Sequence, residues 1–362
     1  MIPYGKQSID KADLKAVLEV LKSDWITQGP KIAEFEKAVA GYSGARYAVA
    51  VSSGTAALHA ACFAAGIEKG DEVITSPITF AASANCVLYL GGRPVFADIK
   101  QDTLNIAPEE IRKKITKKTK AIIPVDFAGQ PADYDEINRI AREYGLFVIE
   151  DAAQSFGAVY KGRKACSLAE IGCTSFFPAK PLGCYGDGGM IFTNSEELCN
   201  ILKSIRMHGQ GSDKYDNVRI GINGRLDTIQ AAILLAKFEI FPDEIKKRQE
   251  VAQRYNGLFS DGFFLQESPS GCSSAWAQYS IRPKDHNISR NEYISRLKDN
   301  KVPNAIYYPK PLNLQYAFIS SFNYYETKLL ASEEISKNIF SIPMHPYLGY
   351  KSQSKIIEIL NS

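Results

Sequence analysis

The sequence predicts an α/β fold: a mostly parallel central sheet sandwiched by helices, followed by a smaller C-terminal α+β domain. Three observations carry this. Seven apolar or β-branched runs lie between positions 47 and 193, most of them separated by helix-patterned stretches, and that alternation builds parallel sheets. The runs are continuously apolar, which means burial on both faces. From Gly262 onward the chain turns to aromatic and polar stretches between charged helical pieces.

Taken in order, Asp10 to Leu21 reads as a short helix, and the turn-rich Trp25-Ile-Thr-Gln-Gly-Pro30 leads into a helix over about 31 to 42. Strands are expected at Tyr47 to Val51, Glu72 to Ser76, Pro94 to Asp98, Ala121 to Asp126, Phe147 to Asp151, Cys173 to Phe177 and Met190 to Thr193. Gly54 or Thr55 opens a helix from Ala56 to Ala65, and Asp133 leads one through Tyr144 that Gly145 stops. A stripe from Leu226 to Phe241 closes the large domain, and a charged helix from Asp243 to Leu258 follows. The domains are therefore placed at 1–240, with an N-terminal arm, and 241–362.

Composition narrows the function. With 362 residues and 45% hydrophobic content the chain can bury a full core. Its 43 basic and 40 acidic residues leave a net charge of +3, with no basic block interleaved with aromatics, so nucleic acid is a poor partner. The seven cysteines form no CxxC pair and no secreted framework. Neither a signal peptide nor a membrane-length apolar run is evident, so a cytoplasmic location is expected. The four histidines, at 59, 208, 286 and 345, have no metal-ligand spacing, and no metal is expected.

Candidate chemistry sits at strand ends. Lys180 lies five residues after Ser175 and ahead of a glycine-rich turn, a setting for a Schiff base beside a phosphate site. Asp151 ends an apolar run, where a carboxylate can keep a pyridine nitrogen protonated; alone it would read equally as a helix cap. Gln154 could reach a phenolic oxygen, or be a turn residue. Ser52-Ser-Gly-Thr55 offers free amides and a hydroxyl to a phosphate, and alone would read as capping. Phe80 is suited to stacking on a flat ring, with an ordinary core position as its competitor. His208 either caps a helix or lines the site. The glycine-rich turn precedes a strand where a dinucleotide fingerprint would precede a helix, which disfavours nicotinamide chemistry.

Eight stretches in order, among them Trp25-Ile-Thr-Gln-Gly-Pro30, Ser52-Ser-Gly-Thr55, Glu150-Asp-Ala-Ala-Gln-Ser155, Ser175-Phe-Phe-Pro-Ala-Lys180 and Gly221-Ile-Asn-Gly-Arg225, make the chain resemble the pyridoxal-phosphate-dependent sugar aminotransferases of the DegT/DnrJ/EryC1/StrS family over essentially its full length. The resemblance implies a fold-type I enzyme. In it Lys180 is the Schiff-base lysine, Asp151 meets the pyridine nitrogen, Gln154 lies near the phenolic oxygen and Phe80 stacks on the ring. Gly54, Thr55 and Ser175 hold the phosphate, with Asn223 reaching over from the neighbouring subunit of a homodimer.

Within the family the chain looks most like enzymes that aminate C3 of UDP-linked 2-acetamido-3-keto-glucuronic acid for lipopolysaccharide, with L-glutamate as donor. The resemblance makes Arg225 a candidate for the sugar carboxylate, with His208, Tyr307 and Tyr308 as further substrate contacts. Tyr307 stands where those enzymes commonly have histidine, and Gly224 replaces a serine. Amination at C4 of a UDP-linked 4-keto-6-deoxy sugar is the alternative, and a pyridoxal-phosphate-binding regulatory protein is the alternative of a different class.

Overall fold

A computed structural model describes residues 2–259, 261–285, 287–322 and 328–362; of the four histidines, His286 lies outside the described residues. Strands β1 (Tyr47–Val51), β2 (Glu72–Thr75), β3 (Arg93–Phe96), β4 (Thr119–Ile123) and β5 (Phe147–Asp151) are followed by the short β6 (Val159–Tyr160) and β7 (Arg163–Lys164), then β8 (Ile171–Ser175) and β9 (Gly189–Thr193). The central sheet has seven strands in the order β1-β9-β8-β5-β4-β2-β3. Its pairs from β8 through β3 are parallel, whereas β9 runs antiparallel to both β1 and β8. The reason is local: no crossover helix separates β8 from β9, only the loop 176–188 that carries Lys180, and a hairpin return forces the antiparallel sense.

Helices α1 (Lys11–Leu21), α2 (Pro30–Ser43), α3 (Gly54–Ala64), α4 (Ala82–Leu88), α5 (Pro108–Lys114), α6 (Tyr134–Tyr144) and α7 (Glu196–Arg206) cover the sheet. Their ends follow the capping residues. Asp10 caps α1 in a reciprocal box with Asp13. Ser53 caps α3 through Ala56 N–H, and α6 stops at Gly145, whose φ of +65° suits glycine. Two apolar layers form the core, one under α3 and α7, the other between the sheet and the helix that follows α7.

That helix, α8 (Thr228–Leu258), differs from expectation: it is one 31-residue element through Pro242, not two. Proline there removes one amide donor, but packing on both sides holds the axis. Phe241 is fully buried with its ring 5.3 Å from Phe156, and Arg248 Nη1 donates to Trp276 O at 2.9 Å. The boundary placed at residue 240 falls inside this helix. Beyond it, β10 (Phe263–Leu265), β12 (Tyr279–Pro283) and β13 (Phe340–Ile342) form an antiparallel sheet. It packs with α9 (Arg290–Asp299) and α12 (Tyr350–Asn361) around a separate apolar cluster. The remaining pieces are β11 (Cys272–Ser273), paired with β6, and α10 (Tyr316–Phe322) and α11 (Leu330–Asn338). Among the described residues, no helix is long and apolar enough to cross a membrane.

Candidate active site

The carboxyl ends of β5 and β8 and the start of α3 meet at one crevice. Gly54 opens α3 against Ser175 at the end of β8; a Cβ on Gly54 would lie 2.8 Å from Ser175 Cβ. Only glycine lets the two backbones approach this closely. The first amides of α3 have no acceptor inside the helix, and this end of the helix, with Thr55 in its first turn and Ser175 beside it, is of the kind that can hold an anion. Gly189 supports it from β9, where a Cβ would run into Ser53 O.

Asp151 is buried at the last position of β5. Its Oδ2 accepts from Ser83 Oγ at 2.6 Å and its Oδ1 from Ala153 N–H at 3.2 Å. Burial raises its pKa above the usual carboxylate value, while the two donors and the Lys180 charge pull it down. Alternation along β5 sends Glu150 to the other face, where it accepts from the amides of Cys166 and Leu168 at 2.6 and 2.9 Å. Asp126, just past β4, accepts from Ser155 Oγ, Tyr134 Oη and Ala132 N–H, and burial pushes it up to about 7. Gln154 is buried, and its Oε1 accepts from Ala128 N–H at 2.9 Å. That bond fixes which end of the amide is the oxygen and leaves Nε2 as the donor end.

Lys180 sits in the loop 176–188, which is closed by Lys180 N–H on Phe177 O and Cys184 N–H on Phe176 O, both at 2.8 Å. The N-terminal arm crosses it: Gln7 Nε2 donates to Pro178 O, and Ser8 O accepts from Tyr185 Oη and Lys237 Nζ. Desolvation lowers the Lys180 pKa below the ordinary lysine value, with the Asp151 carboxylate opposing that shift. Phe80 is 64% exposed, one turn before Ser83. Tyr307 and Tyr308 pack near Ile78 and Phe127, and Tyr308 is close enough to Asp151 for that charge to contribute to its raised pKa.

A second group forms elsewhere. After α7, His208 takes φ +61° and approaches Arg225 Nη1 at 3.5 Å, while Asn223 pairs with Met207 and is exposed. Arg225 lines a groove with Gln28, Glu36 and Arg206, and its backbone bridges Val51 at the end of β1. His208 thus lies just past the helix end, beside Arg225. His59 lies in α3 against Tyr89, with its pKa lowered by burial.

The first group fits pyridoxal phosphate in its donor set: a buried acid, a buried amide, a lysine amine of lowered pKa, and a helix start packed closely on Ser175 through Gly54. Sequence reasoning missed Ser83 and Asp126. The only signal for Asp126 was its place at the end of an expected strand, and nothing marks Ser83 within a run of small residues.

The chain is 45% identical over 344 residues, 95% of this chain and 93% of the relative, to the UDP-2-acetamido-2-deoxy-3-oxo-D-glucuronate aminotransferase of Pseudomonas aeruginosa. Its fold matches the crystal structure of a DegT DnrJ EryC1 StrS aminotransferase from Brucella abortus with a TM-score of 0.92 at 42% identity, covering 97% of this chain and 94% of that one. It also matches NtdA from Bacillus subtilis, solved with bound cofactor PMP, with a TM-score of 0.90 at 31% identity, covering 98% and 82%. The family model matches residues 7–361, and the chain belongs to the DegT/DnrJ/EryC1/StrS aminotransferase family.

Proposed function

We propose that the protein is a pyridoxal-phosphate-dependent aminotransferase that moves the amino group of L-glutamate to C3 of UDP-2-acetamido-2-deoxy-3-oxo-D-glucuronate, in bacterial surface polysaccharide biosynthesis. The observation that carries the sugar assignment is the 45% identity, over 95% of this chain, to the Pseudomonas enzyme of that name, because the crevice alone would serve any member of the family. When bound, the cofactor supplies a carbonyl for an amine to condense with and a protonated ring that accepts electron density.

The protein's own groups have distinct tasks. The α3 amides, Thr55 and Ser175 hold the phosphate, and Phe80 covers the ring face and excludes water. The Asp151 carboxylate keeps a proton on the ring nitrogen, and the charge it meets there offsets the cost of its burial. Gln154 Nε2 donates to the phenolic oxygen. Lys180 Nζ would hold the cofactor and, as a free amine, would accept the proton from the substrate carbon bearing nitrogen; its lowered pKa supports that role.

The assembly is a homodimer in which Asn223 reaches the neighbouring subunit's phosphate and Arg225 and His208 face its sugar carboxylate. Tyr215, Val218 and Ile220, exposed on the same stretch, support a subunit covering this surface. The test is a product assay by mass with two UDP sugars, the 3-oxo-glucuronate and a 4-keto-6-deoxy compound. Amination of the first alone is expected; amination of the second alone would overturn the C3 assignment.

A further inference from the structure

Ser83 and Thr79 form a buried hydroxyl chain behind Asp151. Ser83 Oγ lies 2.6 Å from Asp151 Oδ2, and Thr79 Oγ1 lies 2.8 Å from Ser83 Oγ. Both residues are buried, Ser83 at 1% exposure and Thr79 at 2%. The chain has a fixed polarity. A serine hydroxyl has one proton, and toward an ionised carboxylate it can only donate. Thr79 must then be the donor to Ser83, and successive donation polarises each bond in the same sense. The other oxygen of Asp151 is held by Ala153 N–H, so the two contacts fix the carboxylate plane. Ser83 also links the acid to the stacking residue, since its amide donates to Phe80 O at 3.2 Å.

Resting on the assignment of Asp151 to the cofactor's ring nitrogen, we infer that Ser83, backed by Thr79, is a positioning residue that keeps Asp151 ionised and oriented for that nitrogen. Burial alone works against the ionised form. Other titratable groups near Asp151 are Lys180 of the loop 176–188, Asp126 beyond β4, Cys86 of α4, Cys173 of β8, Tyr134 of α6 and Tyr308. Of these Lys180 alone is cationic, and it is the group that must be free to react. Neutral donors that take no part in the reaction therefore favour the carboxylate without occupying the lysine, and of the two that reach Asp151, Ser83 Oγ and Ala153 N–H, the serine hydroxyl is the one a side-chain substitution removes.

The test titrates cofactor-resolved full-length protein with pyridoxal phosphate over roughly pH 5 to 9, reading cofactor affinity and not turnover. Loss of the Ser83 hydroxyl makes Asp151 easier to protonate, so binding should fail at a higher pH as the solution is acidified. Ser83→Ala should weaken binding about 10-fold near neutrality and move the acid limb up by about one pH unit. Thr79→Val should move both in the same direction by less, and Ser83→Thr, which retains the hydroxyl, should restore them. If Ser83→Ala does not fold, the Thr79→Val shift decides the question. An acid limb that stays in place in both Ser83→Ala and Thr79→Val overturns the inference, even if melting temperatures fall. Asp151→Asn separates the two layers: wild-type affinity in that variant defeats the assignment of Asp151 itself, whereas weak, pH-independent binding there with an unshifted Ser83→Ala curve defeats only the role of Ser83.

Discussion

Lys180 and Asp151 have been moved in opposite directions by the same cause. Desolvation favours the neutral lysine and the neutral acid, so each gains from a ligand that supplies what burial removed. Lys180→Ala should abolish multiple turnover while the protein still takes up cofactor in a form that dialysis removes; normal steady-state rates in that variant would defeat the assignment. Asp126 allows a test independent of the cofactor. Burial pushes it up to about 7, above the ordinary carboxylate range, so the folded state binds the extra proton. The resulting stability is present below the unfolded value and lost as pH rises through the folded one. The melting temperature of wild type relative to Asp126→Asn should therefore rise as pH falls from roughly 8 to 5; parallel curves would show that Asp126 is ionised throughout. Asp151 stands out in the sequence because it ends an apolar run, whereas Lys180 and Ser175 stand out by their five-residue spacing and the glycine-rich turn behind them. Ser83 does not, since its role depends on a contact across 68 positions.

At the scale of elements, the start of α3 is the most constrained junction. Ser53 caps it, Gly54 admits Ser175, and Gly189 admits Ser53. Gly54→Ala should cost about 1–3 kcal/mol of stability through overpacking and weaken phosphate binding more than ring contacts. Comparing inorganic phosphate protection with cofactor affinity in the variant checks this; unchanged values for both would mean that β8 shifts freely to admit the methyl. Strands β1, β2, β5 and β9 appear within a residue or so of their sequence positions, because continuous apolar runs bounded by polar turns have few other solutions. Helix α8 was legible only in halves. Local propensity marks Pro242 as a breaker, and the burial of Phe241 and Arg248 overrides it.

For the whole molecule, the division between the two groups of site residues is the main architectural fact. One group lines the crevice around Lys180, and the other, with Arg225 and His208, faces outward on the segment after α7. Sequence spacing could not separate them, because Arg225 adjoins β1 through its backbone while its side chain lines a groove with Gln28, Glu36 and Arg206. If each site is completed by the neighbouring subunit, Lys180→Ala and Arg225→Ala proteins, each inactive alone, should regain about a quarter of wild-type activity when unfolded and refolded together, the share expected of random pairing in a two-fold dimer. No recovery would place both residues in sites made by one chain. The most direct test of amine transfer through Lys180 uses glutamate carrying isotopically labelled nitrogen with UDP-2-acetamido-2-deoxy-3-oxo-D-glucuronate, with the product read by mass and by the position of the label. The expected result is an amino sugar labelled at C3 with wild type and none with Lys180→Ala; an unlabelled product, or equal labelling by the variant, would contradict it.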